Sequence, residues 1–326
     1  MNSFKKKSLG LAFALAVSLG TVAPTAALAD SKYVAITSIV EHPALDAFKD
    51  GVVEALADEG FKEGDNLRVR YQTAQGNTGT AAQIARQYMG EGPDVIVAIG
   101  TPSAQAVVAA TKTIPVVFGA VTDPIAAQLV KERGASGTNV TGMSDELPLE
   151  ASLELIKKAL PDAKRVGLVY NPGEINSKIV VDQLKKLMPQ YDLTLVEAAA
   201  PRTVDVSSAA RSLIGKSDMI FSTTDNNVIA TYESLTKVSL DSKLPLIASD
   251  TDSVTRGAVA ALGINYKQLG VQAGQMVARI LNGESPGDIA WETSNQLETH
   301  LNKKIAKQIG VVFSEELLNS AEKVIE

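Results

Sequence analysis

The stretch Asp94-Val-Ile-Val-Ala-Ile99-Gly100-Thr101-Pro102-Ser103 decides the fold. Its unbroken apolar run reads as a strand buried on both faces, the kind found inside a parallel sheet. Gly100 lets the chain turn tightly, and Pro102 opens a helix where its missing N–H is not needed. A strand passing at once into a helix is one step of a βα repeat.

The same step recurs outward in both directions. Strands are predicted at Tyr33 to Thr37, Leu67 to Gln72, Asp94 to Ile99 and Pro115 to Gly119, with helices near Ala44 to Glu59, Gly79 to Met89 and Ser103 to Thr111. A second series follows Met143-Ser144-Asp145, where Pro148 marks a chain crossing. It has a helix over Leu149 to Leu160 and strands at Arg165 to Tyr170, Leu193 to Ala198, Met219 to Ser222 and Leu244 to Ala248. Helical patterns fit Ser177 to Met188, Val206 to Ile214 and Asn227 to Ser239. The chain then crosses back through a strand at Ala258 to Ile264 and a helix at Leu269 to Leu281, stopped by Asn282-Gly283. The tail from Leu297 is expected to pack across the lobes. Alternation of this kind predicts an α/β protein of two Rossmann-like lobes with parallel sheets, joined by a hinge around a ligand cleft. The expected boundaries are residues 30–143 with about 251–290 for the N-terminal lobe, and 144–250 with about 291–326 for the C-terminal lobe.

Ahead of the first strand, Lys5-Lys6-Lys7, an apolar stretch from Leu9 to Leu19, and Ala27-Leu28-Ala29 read as a secretory signal peptide over residues 1–29. The apolar stretch is too short to span a bilayer, and no later segment approaches the roughly 20 apolar residues required. The chain has no cysteine, so neither a lipid anchor nor a disulfide is expected. Removal of the leader leaves about 300 residues, a size that favours two lobes. The expected location is a bacterial periplasm. A net charge of -6 with no basic stripe and few aromatics argues against nucleic acid as a partner.

In open parallel sheets ligands bind beyond the carboxyl ends of the strands. The candidate ligand-binding residues are therefore Ser38, Glu41, Thr101, Ser103, Thr122 and Asp123 in the first lobe. In the second they are Tyr170, Asn171, Glu174, Asn176, Thr224, Asp225, Asn226 and Asp250. Hydroxyls of Thr101 and Ser103, at a helix N-terminus, suit a carboxylate, although either residue can be an ordinary cap. Asp225 and Asp250 suit an ammonium group, and they too can be caps. Tyr170 offers a ring and a hydroxyl, against the simpler reading of boundary packing. Asn171, Glu174 and Asn176 add hydrogen-bonding capacity, with turn formation as the plainer role.

Signatures of catalysis are thin. Two histidines, His42 and His300, no cysteine and no HExxH pattern leave no conventional zinc site. Neither GxGxxG nor GxxxxGK[ST] occurs, so no dinucleotide or nucleotide cofactor is expected, and there is no GxSxG elbow. Ser234 and Lys237 have SxxK spacing but fall inside a predicted helix. Glu41-His42 can serve as an acid/base pair only if a loop turns both side chains to one side, and a polar strand-end turn explains them better. Trp291, isolated in a polar stretch, reads as packing.

Several of these motifs together resemble a known family. They are Glu41-His42-Pro43-Ala44-Leu45-Asp46, Ala98-Ile99-Gly100-Thr101-Pro102-Ser103-Ala104, Val121-Thr122-Asp123-Pro124, Asn139-Val140-Thr141-Gly142, Val169-Tyr170-Asn171-Pro172 and Thr224-Asp225-Asn226. Leu301-Asn302, Ala306, Gly310 and Leu317-Leu318 extend the match to the C-terminal end. The chain resembles the type I periplasmic solute-binding proteins of the ABC-transporter family that includes tryptophan- and phenylalanine-binding members. That resemblance implies three hinge strands, a ligand trapped between the lobes and delivery to a membrane permease. For an amino-acid ligand it suits Thr101, Ser103 and Thr122 around the carboxylate and Asp225 or Asp250 at the amine, with Phe118 and Tyr170 as aromatic walls. A monomer without enzymatic activity is expected. Two other readings stay open: an exported α/β enzyme using a strand-end carboxylate such as Asp250 as base, and a sensory binding protein for a sugar or nucleoside.

Overall fold

The computed structural model describes Met1, residues 31–294 and residues 296–326. Beyond Met1, the expected signal peptide lies outside the described residues. In chain order the first lobe is built from β1 (Lys32–Ser38), α1 (Pro43–Asp58), β2 (Leu67–Thr73), α2 (Thr78–Glu91), β3 (Val95–Ile99), α3 (Thr101–Ala110), β4 (Val116–Gly119), the short β5 (Gly134–Ala135) and β6 (Val140–Ser144). The chain then enters the second lobe through α4 (Leu149–Ala159), β7 (Arg165–Tyr170), α5 (Ile175–Leu187), β8 (Thr194–Ala199), α6 (Val206–Ser212), β9 (Met219–Ser222), α7 (Asn226–Ala230), α8 (Tyr232–Ser242), β10 (Leu246–Ala248), α9 (Asp252–Thr255) and β11 (Ala260–Ile264). Next, α10 (Tyr266–Leu281) and β12 (Ala290–Thr293) return to the first lobe. Finally β13 (Leu297–Asn302), α11 (Lys303–Ile309), α12 (Glu315–Ser320) and β14 (Lys323–Ile325) complete the second.

Each lobe holds a seven-stranded sheet, in the orders β2-β1-β3-β4-β6-β12-β5 and β14-β13-β11-β10-β9-β7-β8. Pairing within the first is parallel except between β12 and β5, and within the second except between β11 and β13. The apolar run of β3 lies wholly buried between β1 and β4, as helices on both faces require. By contrast β2, at the sheet edge, is half-buried and carries Arg68 and Arg70, charges that oppose pairing with another chain.

Packing explains why the chain returns. In α10 the buried face is Leu269, Gly270, Ala273, Gly274 and Val277, and it lies on Phe48 and Val52 of α1. Gly51 and Gly270 let the two backbones touch, since a Cβ on Gly270 would collide with the carbonyl oxygen of Phe48. Each large apolar side chain buried here, such as Phe48, contributes about 1.5–3 kcal/mol, so α10 belongs firmly to the first lobe.

Four expectations are corrected. Residues 251–264 fall in the second lobe, because β11 pairs with β10 and β13 rather than with the first sheet. Residues 291–293 fall in the first, since β12 pairs with β6. The tail from Leu297 does not bridge the lobes: β13 and β14 extend the second sheet, and Ala306, Phe313 and Leu317 pack into its core. The single helix expected over Asn227 to Ser239 is two, broken at Thr231, whose hydroxyl donates to Asn227 O at 2.8 Å.

Candidate functional site

The sheet orders place a switch point between β1 and β3 in the first lobe and between β7 and β9 in the second. Loops from both points meet with the crossings after β6 and β11 around a small, tightly lined cavity.

The first lobe contributes helix N-termini. At the start of α3, Gly100 carries no side chain to cap the first turn, leaving it open to an anion beside the Thr101 hydroxyl. Thr122 and Ala120, after β4, line the same cavity. His42 caps α1: its Nδ1 accepts from Leu45 N at 3.4 Å, which turns the ring toward the cavity while Glu41 points away to solvent. Burial, with the Arg256 charge behind it, pushes the His42 imidazole down to about 3, so the ring is neutral. Ala44, Leu45 and, from the second lobe, Ile229 supply apolar surface.

On the second lobe a buried polar network holds the cleft face. Asp225 caps α7 by accepting from Val228 N at 3.0 Å, and its other oxygen accepts from Asn171 N at 2.7 Å and Ser177 Oγ at 2.6 Å. Glu174 accepts from Asn171 Nδ2 at 3.1 Å and Asn226 Nδ2 at 2.5 Å. Burial raises the Asp225 and Glu174 carboxyls above their ordinary range, and the charge of Asp225 adds to the rise at Glu174. Asp250 is raised by burial as well, and its oxygens accept from Ser253 N at 2.9 Å and Ser253 Oγ at 2.6 Å.

Between the lobes stands Asp145, in the crossing that follows β6. Its Oδ2 accepts from the Tyr266 hydroxyl at 2.6 Å, while Oδ1 has no protein partner among the described residues. Both residues line the cavity and both are buried; burial raises the Asp145 carboxyl. Asn176, at the start of α5, likewise brings a buried Oδ1 without a partner to the cavity.

Of the sequence-derived candidates, the cavity is lined by Thr101, Thr122, Asn176, Thr224, Asn226 and Asp250. Asn171, Glu174 and Asp225 stand behind them and hold Asn226 and α7 in place. The others are elsewhere. Ser38 is buried and donates to Val40 O at 2.7 Å, and Glu41 accepts from Gln75 Nε2 at 3.1 Å on the surface. Ser103 faces inward from α3, buried but outside the cavity lining. Asp123 is a turn acceptor for Ile125 N at 3.0 Å and Ala126 N at 2.9 Å. Tyr170 donates its hydroxyl to Glu197 of the neighbouring β8 at 2.9 Å on the surface, and Phe118 is sealed in the core with Trp291, ring centres 6.4 Å apart. Neither lines the cavity; the rings that do are the His42 imidazole and the Tyr266 phenol. Sequence reasoning misses Asp145 and Tyr266, because it predicts no strand over Val140–Ser144 and starts the α10 helix at Leu269.

A sequence model of the family described as ABC transporter substrate binding protein matches residues 33–325. The chain is an ABC transporter substrate-binding protein. A tyrosine-binding protein of Clostridioides difficile is 41% identical over 278 residues, spanning 85% of this chain and 81% of that one. A solved domain from Streptococcus pneumonia in complex with L-Trp is 34% identical, covers 90% of this chain and 100% of that chain, and superposes with a TM-score of 0.87. A ligand-free, open substrate-binding protein with adhesive properties from Clostridium difficile is 40% identical and covers 90% of this chain and 99% of that one, yet its TM-score is 0.68.

This substrate-binding protein superposes better on the L-Trp complex than on the open relative, although the open relative is nearer in sequence. Closure has contacts of its own: Ile175 and Ala230, from the second lobe, pack against the core of the first. The architecture is that of the type I periplasmic binding proteins, and among the described residues no helix is long and apolar enough to cross a membrane.

Proposed function

We propose that this substrate-binding protein is exported by its N-terminal leader, captures an aromatic amino acid between its lobes and presents it to the permease of an ABC importer. The observation that carries the ligand class is the mixed lining of one closed cavity. The open N-terminus of α3, with Thr101 and Thr122, suits an α-carboxylate. Acidic side chains suit an ammonium group. Leu45, Ile229 and the Tyr266 ring suit a flat apolar side chain. Relatives described as binding tyrosine or holding L-Trp support the same class.

Membership of a substrate-binding family supports binding without chemistry, and transport needs closure that depends on ligand. A monomer suffices for capture, since residues of both lobes of one chain line the cavity. Thermal unfolding of the stripped, leaderless protein against amino acids, sugars and nucleosides tests the reading. At a thousandfold excess over Kd the true ligand adds about 4 kcal/mol, and that rise is expected with tyrosine, tryptophan or phenylalanine. A rise only with sugars or nucleosides, or chemical change in the recovered ligand, sinks it.

A further inference from the structure

We infer that the ligand's ammonium group is read at the hinge by Asp145, which Tyr266 holds in position, and that neither Asp225 nor Asp250 is the discriminating acid. The inference rests on the amino-acid reading above and names the residue that decides it.

Three carboxylates compete for this role, and their hydrogen bonds separate them. Asp225 is committed to capping α7 and tying it to Asn171 and Ser177. Asp250 accepts twice from Ser253, once on each oxygen, at the first turn of α9. Of the three, Asp145 alone brings to the cavity an oxygen with no hydrogen bond among the described residues, on a residue 4% exposed, although the Thr122 side chain is near enough to favour its charged form. A buried acceptor left unmade is costly, more so when charged, so the site is poised for a donor. Asn176 adds a second free, buried acceptor from the facing lobe. Two acceptors with no donor of their own fit an ammonium group, which has three donors and no acceptor.

Position gives the pair its second consequence. Asp145 lies in the crossing between β6 and α4, and Tyr266 opens α10 just past the crossing after β11. Their 2.6 Å hydrogen bond therefore ties one hinge strand to another. An ammonium bound to Oδ1 and to Asn176 bridges that hinge to the second lobe, so the charge of the ligand is felt where the lobes bend. The other titratable groups facing this cavity are His42 and Asp250, with Asp252 close to Tyr266.

The test compares L-tyrosine, L-tryptophan and L-phenylalanine with their desamino acids, such as 3-phenylpropionate, by calorimetry on wild type, D145N, D250N and Y266F. Wild type is expected to prefer the amino acids by about 100-fold, and D145N to lose that preference while keeping desamino-acid affinity within about threefold. D250N is expected to retain the preference. The Tyr266 hydroxyl stabilises the ionised Asp145, so in Y266F the acid-side loss of amino-acid affinity moves to higher pH, a shift that a purely structural role would not produce. An unchanged preference in D145N, or a preference lost in D250N instead, overturns the inference and leaves the ligand class standing. Wild type that binds none of the three amino acids overturns both.

Discussion

Gly100 of the first lobe and Asn226 of the second meet across the closed cleft, such that a Cβ on Gly100 would lie 3.9 Å from Asn226 Oδ1. Gly100 has φ +83°, and the same Cβ would press into Ile39 Cγ2 at 2.5 Å. Asn226 is in turn held by Glu174, so the lobe contact is built from a backbone that needs glycine and a side chain fixed from behind.

Replacing Gly100 with alanine forces a left-handed backbone on a residue with a Cβ, at a cost of about 1–3 kcal/mol. G100A is expected to lower the unfolding midpoint and to weaken binding about tenfold or more, because α3 is displaced at the ligand. Urea titration and calorimetry read the two losses; wild-type affinity in G100A counts against placing the ligand at the α3 N-terminus.

Asp225 is a structural member of the site. D225A removes the cap of α7 and the acceptor for Asn171 N and Ser177, and is expected to cost about 1–3 kcal/mol of stability. The amino-acid preference over desamino acids should persist in whatever affinity remains, as paired titrations with both ligands would show.

His42 makes stability depend on pH in the acid range. Its folded value, about 3, lies below the unfolded value near 6.5, so its contribution is complete above about 6.5 and is lost as pH falls through the interval. At pH 5 the loss reaches at most about 2 kcal/mol. Asparagine is also a good N-cap, so H42N should flatten the fall in melting temperature between pH 7 and pH 5. The raised carboxyls Asp145, Glu174, Asp225 and Asp250 act in the opposite direction, favouring the fold at low pH and withdrawing that contribution as pH rises through their values. An equal fall in H42N and wild type would remove His42 from the account.

Lobe closure is expected to follow the ligand. Ile175 and Ala230 of the second lobe pack against the first-lobe core, so I175D is expected to disfavour closure without disturbing either sheet. Small-angle scattering of wild type should show a smaller radius of gyration with tyrosine, tryptophan or phenylalanine than without. In I175D the change should be reduced and affinity lowered about tenfold; identical profiles with and without a bound ligand would refute ligand-driven closure.

The two-lobed α/β architecture was legible because it rests on local signals. Runs such as Val95–Ile99 and Arg165–Tyr170 are strands by composition alone, and Gly100-Thr101-Pro102 announces a helix start without reference to anything distant. Strand ends in such sheets face the ligand, which is why Thr101, Thr122, Asn176, Thr224, Asn226 and Asp250 were found on the cavity. The same rule overreached with Ser38, Asp123 and Tyr170, since a strand end points one side chain to the cleft and its neighbour to a turn or to solvent.

What the sequence alone determined was therefore the repeat of βα units and the two sets of strand ends, both products of short-range pattern and backbone preference. Only the tertiary structure decided which lobe owns β11, β12 and the tail, because sheet membership is fixed by pairing between distant strands. It alone brought Asp145 to Tyr266, 121 positions apart, where two crossings of the chain pass side by side and burial leaves one carboxylate oxygen facing the cavity.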